Sequence, residues 1–151
     1  MRNLLLLALL SAASPAPAAV KSAAVGAVLG DPVGGTLKLW FDDSFALDAG
    51  VGYSNDPTFW ADALWHDWRL LPQPSRGRVG LYLGAGPRLQ AADDARFGLR
   101  TIGGLSWRLD ESSLEFFAEA GPVFRFTQSG GVDADGGVGV RVTFAPPRRA
   151  Q

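Results

Sequence analysis

The sequence beyond residue 22 is divided into eight runs in which apolar side chains occupy every second position. Successive side chains of an extended strand point to opposite sides, so each run has one apolar side. The runs cover residues 23–29, 36–41, 45–53, 59–71, 77–88, 96–109, 114–126 and 136–144. Glycine, proline, asparagine, aspartate and serine separate them, which is typical of strands joined by short turns. The chain is therefore predicted to be all-β.

The second side of these runs carries charged residues. They are Lys38, Asp48, Asp62, Arg88, Arg100, Arg108, Glu115, Glu119, Arg125 and Arg141. A soluble barrel places apolar residues inside and charges outside, whereas an outer-membrane barrel has the opposite arrangement. Side chains just fill the interior of eight strands, and buried charges there need partners. We therefore predict an eight-stranded antiparallel up-and-down transmembrane β-barrel, its lumen plugged by a salt-bridge network of these ten residues.

Aromatic residues and strand number favour the same fold. The runs 45–53 and 96–109 carry aromatic residues near both ends of the apolar side, as lipid-facing strands do at the two membrane interfaces. An even number of strands lets the sheet close with both termini at one end, and closure removes edges that lipid could not satisfy.

The run 59–71 also fits a helix; we interpret it as a strand with Phe59 and Trp65 outward and Asp62 and His66 inward. Pro122 predicts a bulge or local break.

The alternation also predicts which connections share an end of the barrel. With both termini in the periplasm, the turns near 42–44, 70–76 and 110–113 are periplasmic. The loops near 30–35, 54–58, 89–95 and 127–135 are then extracellular. None of these loops is long, which argues against a large surface for grasping a ligand.

The first 18 residues have the composition of a secretory signal peptide. A basic residue precedes an apolar stretch at Leu4–Leu10, and small residues follow up to an Ala-Pro-Ala site ending at Ala18. We expect cleavage there. The predicted organisation is a signal peptide at 1–18, the barrel at 19–145 and a short disordered tail at 146–151.

Charge and cysteine content exclude several classes of protein. Cleavage removes Arg2 from the 14 basic residues, leaving 13 against 15 acidic ones, so no basic excess exists to bind nucleic acid. The chain has no cysteine, which excludes a disulfide framework and thiolate metal sites.

The signal peptide, the eight alternating runs and the terminal pattern Val138, Val140, Val142, Phe144 resemble the small eight-stranded outer-membrane barrels of Gram-negative bacteria, of the OmpA membrane-domain and OmpX type. The segments 29–32, 82–87 and 118–122 are similar to those of other predicted outer-membrane barrels. The resemblance implies a location in the bacterial outer membrane, contact with its lipid and with the machinery that assembles barrels, and a monomer. The residues beyond Phe144 depart from the usual terminal signal. Barrels of this class variously anchor, adhere or modify lipid, so no single activity is implied.

His66, the only histidine, is the one candidate for catalysis. It could serve as a general base beside Asp62 or Asp67 in a barrel enzyme that acts on lipid, but a nucleophilic serine must lie within hydrogen-bond reach. Nothing in the sequence places Ser106 there. The His-x-Ser-Asn pattern of lipid A deacylases is absent, so we interpret His66 as a structural lumen residue.

The remaining motifs have structural explanations. Gly84-Ala85-Gly86 and Gly136-Gly137 lack the helix and lysine of a phosphate-binding loop and fit strands that curve around a narrow barrel. The acidic pairs at 93–94 and at 133 and 135 could collect a divalent cation, but we interpret them as solvated loop acids. No catalytic, cofactor or metal site is predicted.

Three functional hypotheses remain. The first is a non-enzymatic outer-membrane barrel with a structural or surface-interaction role in the cell envelope. The second is a barrel enzyme acting on lipid and centred on His66. The third is a soluble periplasmic barrel that binds a small apolar ligand, with the apolar side chains facing a cavity.

Overall fold

A computed structural model describes residues 19–127 and 129–144, and within them eight strands form a closed antiparallel barrel. The strands are β1 Ser22–Asp31, β2 Val33–Trp40, β3 Phe45–Ser54, β4 Asp56–Asp67, β5 Arg78–Gln90, β6 Arg96–Arg108, β7 Leu114–Arg125 and β8 Gly131–Phe144. Each strand pairs with the next in sequence, and β8 pairs with β1 to complete the wall. The predicted fold class is confirmed. The expected signal peptide at 1–18 and tail at 146–151 lie outside the described residues.

The barrel wall is apolar outside and charged inside. Leu83 on β5 is 70% exposed and Val51 on β3 is 57% exposed, whereas Lys38 and Glu115 are fully buried. The two sides follow from the alternation of each strand, because a residue and its second neighbour share a side. The described residues contain no helix that is long and apolar enough to cross a membrane.

Aromatic rings on the outer face gather near both ends of the barrel. We call the end where β1 begins and β8 finishes the terminal end, and the opposite end the loop end. The rings at the terminal end are Phe45, Trp65, Trp107, Phe116 and Phe144, and those at the loop end are Tyr53, Phe59, Phe97, Phe124 and Phe126. The nine residues from Phe45 to Tyr53 are separated by eight steps of about 3.3 Å and span about 26 Å along β3. A strand tilt of about 40° reduces this to a height of about 20 Å, close to the usual apolar band.

The connections at the loop end are shorter than expected. Pro32 alone separates β1 from β2, and Asn55, in the left-handed region with a φ of 61°, separates β3 from β4. The predicted loop at 127–135 was too long, because β8 starts at Gly131. The other two connections at this end cover residues 91–95 and 126–130.

The longest connection, residues 68–77, lies at the terminal end. Gln73 organises it: its side-chain amide donates to the carbonyl oxygens of Trp68, Leu71 and Val79, and its side-chain oxygen accepts from the Val79 N–H. The strand that we predicted to continue to residue 71 therefore ends at Asp67.

In the tight turn 41–44, the N–H groups of Ser44 and Phe45 donate to Asp42 and lower the pKa of its carboxyl group.

Pro122 interrupts the β6–β7 ladder without a bulge. The register is the same on both sides of the gap, with Arg100 opposite Val123 and Gly103 opposite Ala120. A bulge would have shifted it by one residue. The Thr101 hydroxyl donates to the Pro122 carbonyl oxygen at 3.1 Å across the gap. The local break is therefore confirmed, and the bulge was wrong.

Candidate functional site

Two clusters of buried ionic groups occupy the lumen, and the first lies nearer the terminal end. Lys38 Nζ donates to Glu115 Oε1 at 2.7 Å, and Arg141 Nη1 reaches the same oxygen at 3.2 Å. Arg141 Nη2 also contacts Asp48 Oδ1 at 3.1 Å, and the Thr36 hydroxyl donates to that oxygen at 2.5 Å. Four strands, β2, β3, β7 and β8, are thus tied together across the lumen by what we call the terminal cluster.

The second cluster, which we call the loop cluster, is centred on Arg100 of β6. Its guanidinium group contacts three carboxylates: Asp62, Glu119 at 2.7 Å and Asp135 at 3.0 Å. Arg88 of β5 also binds Asp135, at 2.9 Å. All five side chains are less than a tenth exposed. Charge-assisted bonds of this kind are stronger than neutral ones, and a planar guanidinium group suits a site with several carboxylates.

Two aromatic side chains lie between the clusters and contact both. The Trp60 indole N–H donates to Asp48 at 3.4 Å, and the Arg100 guanidinium lies 5.6 Å from the centre of a Trp60 ring. The Tyr82 hydroxyl donates to Glu119 at 2.6 Å, and its ring lies 5.4 Å from Lys38 Nζ. The polar groups therefore form a nearly continuous chain of contacts along the lumen.

Eight of the ten charges predicted for the lumen lie in these clusters, and two do not. Arg125 lies at the rim of the loop end, where it pairs with Asp133 at 2.9 Å; their side chains are 24% and 41% exposed. Arg108 lies at the terminal end, with its guanidinium carbon 5.0 Å from the centre of a Trp40 ring. Both have the inward phase. Alternation alone does not tell how deep in the lumen a residue lies.

Asp135 belongs to the loop cluster, although we predicted it to be a solvated loop residue. It is 3% exposed, and that interpretation was wrong. The alternation of the strand could have found it. Asp135 lies six residues before Arg141, an even number, so the two share a side once β8 is extended to Gly131. The hydrogen bonds of Tyr82 and Trp60 to these carboxylates were also missed. Both residues have the inward phase, but an aromatic residue on that side does not by itself predict a polar contact.

His66 is held between a lysine and a backbone carbonyl. Its Nε2 lies 3.0 Å from Lys38 Nζ, and its Nδ1 lies 3.3 Å from the carbonyl oxygen of Ser44. Because an ammonium group only donates, Nε2 is the acceptor and Nδ1 carries the hydrogen. The rings of Trp40 and Tyr82 pack against it at 4.4 and 4.9 Å. Neither ring nitrogen is placed to take a proton from a serine within the described part of the chain.

Ser106 and the acidic pairs are not assembled into a reactive site. Ser106 is fully buried, and its hydroxyl has no hydrogen-bond partner among the described residues. Asp133 and Asp135 bind arginines rather than facing each other across a cation site. No group of three His, Cys, Asp or Glu side chains that could hold a metal ion occurs in the residues 19–127 and 129–144.

Comparison with known proteins supports the fold. No protein-family model and no curated protein sequence matches the chain. The structure is similar to the crystal structure of the N-terminal β-barrel domain of Pseudomonas aeruginosa OprF, with a TM-score of 0.57 and 17% sequence identity over 83% of this chain and 98% of that one. The eight-stranded fold that the resemblance to outer-membrane barrels implied is therefore confirmed.

Proposed function

We propose that the protein is an outer-membrane β-barrel with a closed lumen and a structural or surface-interaction role in a Gram-negative cell envelope. The observation that carries this proposal is the inversion of the barrel, in which apolar side chains cover the outside and ion pairs fill the inside. In water such an exterior would leave large aromatic and aliphatic side chains exposed on every strand. In a bilayer the same face is the favourable one.

The location is tested by fractionating cells that express the full chain. We expect the protein in the outer-membrane fraction, and we expect its gel mobility to change on boiling, because a closed barrel resists the detergent until it is heated. A protein that stays in the soluble fraction after lysis would overturn the proposal and favour a soluble barrel.

The closed lumen is supported by how completely side chains fill it. Trp40, Lys38, Arg100 and Arg141 cross the interior and are each no more than 2% exposed. A void between Trp60, Arg100 and β1 measures only about 10 Å³, about the smallest space that holds one water molecule. In planar bilayers we therefore expect the purified protein to give no steady conductance. A stable open channel would contradict a closed lumen.

The proposal excludes a chemical role for His66. Both of its ring nitrogens already have partners in the lumen, and the residue is only 5% exposed. Replacing His66 with alanine should leave the acylation of lipid A in the outer membrane unchanged. A changed lipid profile would favour the lipid enzyme instead.

The proposed partners are the outer-membrane lipid and the machinery that assembles barrels, with the barrel itself a monomer. The outer face of β8 ends in Phe144, whose side chain is 59% exposed. If Phe144 is part of the assembly signal, Phe144→Ala should lower the amount of heat-modifiable barrel in the membrane and leave the total amount synthesised unchanged. An unchanged amount of barrel would remove Phe144 from the signal.

A further inference from the structure

Two arginines face each other at the terminal end of the barrel. Arg78 begins β5 and Arg108 ends β6, and they are direct cross-strand partners on the inward side of the wall. Like charges in such a position normally destabilise a sheet. Within the described residues neither arginine forms an ion pair or a side-chain hydrogen bond, in contrast to the arginines of the two lumenal clusters. The pair is therefore not ion-paired within the wall, although Arg108 lies opposite Glu115 across β6 and β7 and attracts its carboxylate electrostatically.

Tryptophan rings hold the two guanidinium groups in place. The guanidinium carbon of Arg78 lies 4.9 Å from a Trp68 ring centre, and that of Arg108 lies 5.0 Å from Trp40 and 5.9 Å from Trp68. Trp68 is itself fixed, because its indole N–H donates to the carbonyl oxygen of Asp43 at 2.7 Å. Stacking uses the face of a guanidinium group and leaves its N–H edge free for an acceptor. Both arginines are thus oriented but keep their donors.

The pair lies in a polar pocket of about 440 Å³ that opens at the terminal end. Hydroxyl-bearing residues also line it, namely Ser112 and Ser113 of the β6–β7 turn and Thr143 of β8, and Leu109 and Leu114 supply its apolar part. Two acidic residues also line it. Asp110 accepts a hydrogen bond from the Gly77 N–H at 2.9 Å, and the Asp43 carboxylate makes no hydrogen bond or ion pair in the described part of the chain. The volume lies in the usual range for a small-ligand site.

We propose that this pocket binds a phosphate group between Arg78 and Arg108. Two guanidinium forks and a rim of hydroxyls offer more donors than a planar carboxylate accepts, and they suit the oxygens of a tetrahedral phosphate. The neighbouring Trp107 belongs to the aromatic rings of the outer face, so the pocket is level with the membrane interface if the barrel spans a bilayer. A lipid headgroup and a small soluble phosphate ester carry the same chemistry there.

The test measures phosphate binding to the full chain folded in an uncharged maltoside detergent. Titration calorimetry at fixed ionic strength is expected to show saturable binding of inorganic phosphate. Arg78→Gln and Arg108→Gln should each weaken it by about tenfold, the effect of losing one charge-assisted hydrogen bond. Arg76→Gln is the matched control, because it removes a charge from the same end outside the pocket, and it should bind like the parent. Asp43→Asn should bind phosphate more tightly, since it removes the opposing charge.

Two further arms identify the source of the phosphate. Tighter binding of short-chain phosphatidylglycerol than of glycerol 3-phosphate points to a headgroup, and equal or weaker binding points to a soluble ester; either result supports the site. Heat-dependent gel mobility verifies that each variant is folded. The proposal is overturned if no phosphate compound binds saturably, if acetate binds as tightly as phosphate, or if Arg76→Gln weakens binding as much as Arg78→Gln does.

Discussion

Arg100 connects more carboxylates than any other described cation, so its replacement tests whether the lumenal ion pairs stabilise the barrel. In Arg100→Met the guanidinium group is lost while the apolar stem is kept. Glu119 would retain the Tyr82 hydroxyl, and Asp135 would retain Arg88. Asp62 would retain no partner. Arg100 is its one ion-pair partner among the described residues, and the Asp62 Oδ1 atom already lacks a hydrogen-bond donor.

The expected loss follows from that one carboxylate. Removing one partner of a buried ion pair leaves an uncompensated charge and costs about 3–5 kcal/mol. Asp62 is 1% exposed, so water cannot replace the missing partner. We therefore expect Arg100→Met to lower the free energy of unfolding by that amount. Adding Asp62→Asn to the same chain removes the stranded charge and should restore about 2 kcal/mol, within the range of contacting pairs in double-mutant cycles.

The assay is urea unfolding in lipid vesicles, followed by tryptophan fluorescence and by heat-dependent gel mobility. Arg125→Met is the matched control, because the Arg125–Asp133 pair is partly exposed at the rim and should contribute less than about 1 kcal/mol. The reasoning is refuted if Arg100→Met loses no more stability than this control, or if Asp62→Asn recovers none of the loss.

Two further substitutions test the wall. A Cβ atom at Gly26 would collide with the backbone of β8 at Val140, so Gly26→Ala should lower the free energy of unfolding by about 1–3 kcal/mol. The control Gly103→Ala should leave it unchanged, because the added Cβ would meet only Leu83, at 3.6 Å. Equal losses of stability in urea unfolding would contradict the close approach of β1 and β8. Leu83→Arg, near the middle of the outer face, should cost about 2–4 kcal/mol in lipid vesicles; unchanged stability would mean that this face does not meet lipid.

Alternation predicted the side of the wall for almost every residue, because a strand has a strict period of two and the runs are long. It placed Lys38 and Arg141 in the lumen, where the structure pairs both with Glu115. Even the ambiguous run at 59–71 had its phase assigned correctly, with Trp65 outward and His66 inward.

Strand ends and depth in the lumen could not be predicted in the same way. Turn-forming residues made Asp135 look like loop, yet the partner strand β7 continues to Arg125 and extends the pairing of β8 back to Gly131. Arg108 has the same phase as Arg100 but lies at the mouth, eight residues further along β6. Depth depends on strand tilt and register, which involve neighbours far away in sequence.

The five tryptophans allow the most direct test of the inverted barrel. Trp65 and Trp107 face outward and are 56% and 39% exposed, whereas Trp40, Trp60 and Trp68 face the lumen and are at most 7% exposed. In vesicles of lipids brominated along their acyl chains, we expect strong quenching of the fluorescence of the parent protein. Quenching should nearly vanish in the double variant Trp65→Phe/Trp107→Phe. Equal quenching of the parent and the double variant, or none in either, would contradict a barrel whose apolar face meets lipid and whose lumen is closed.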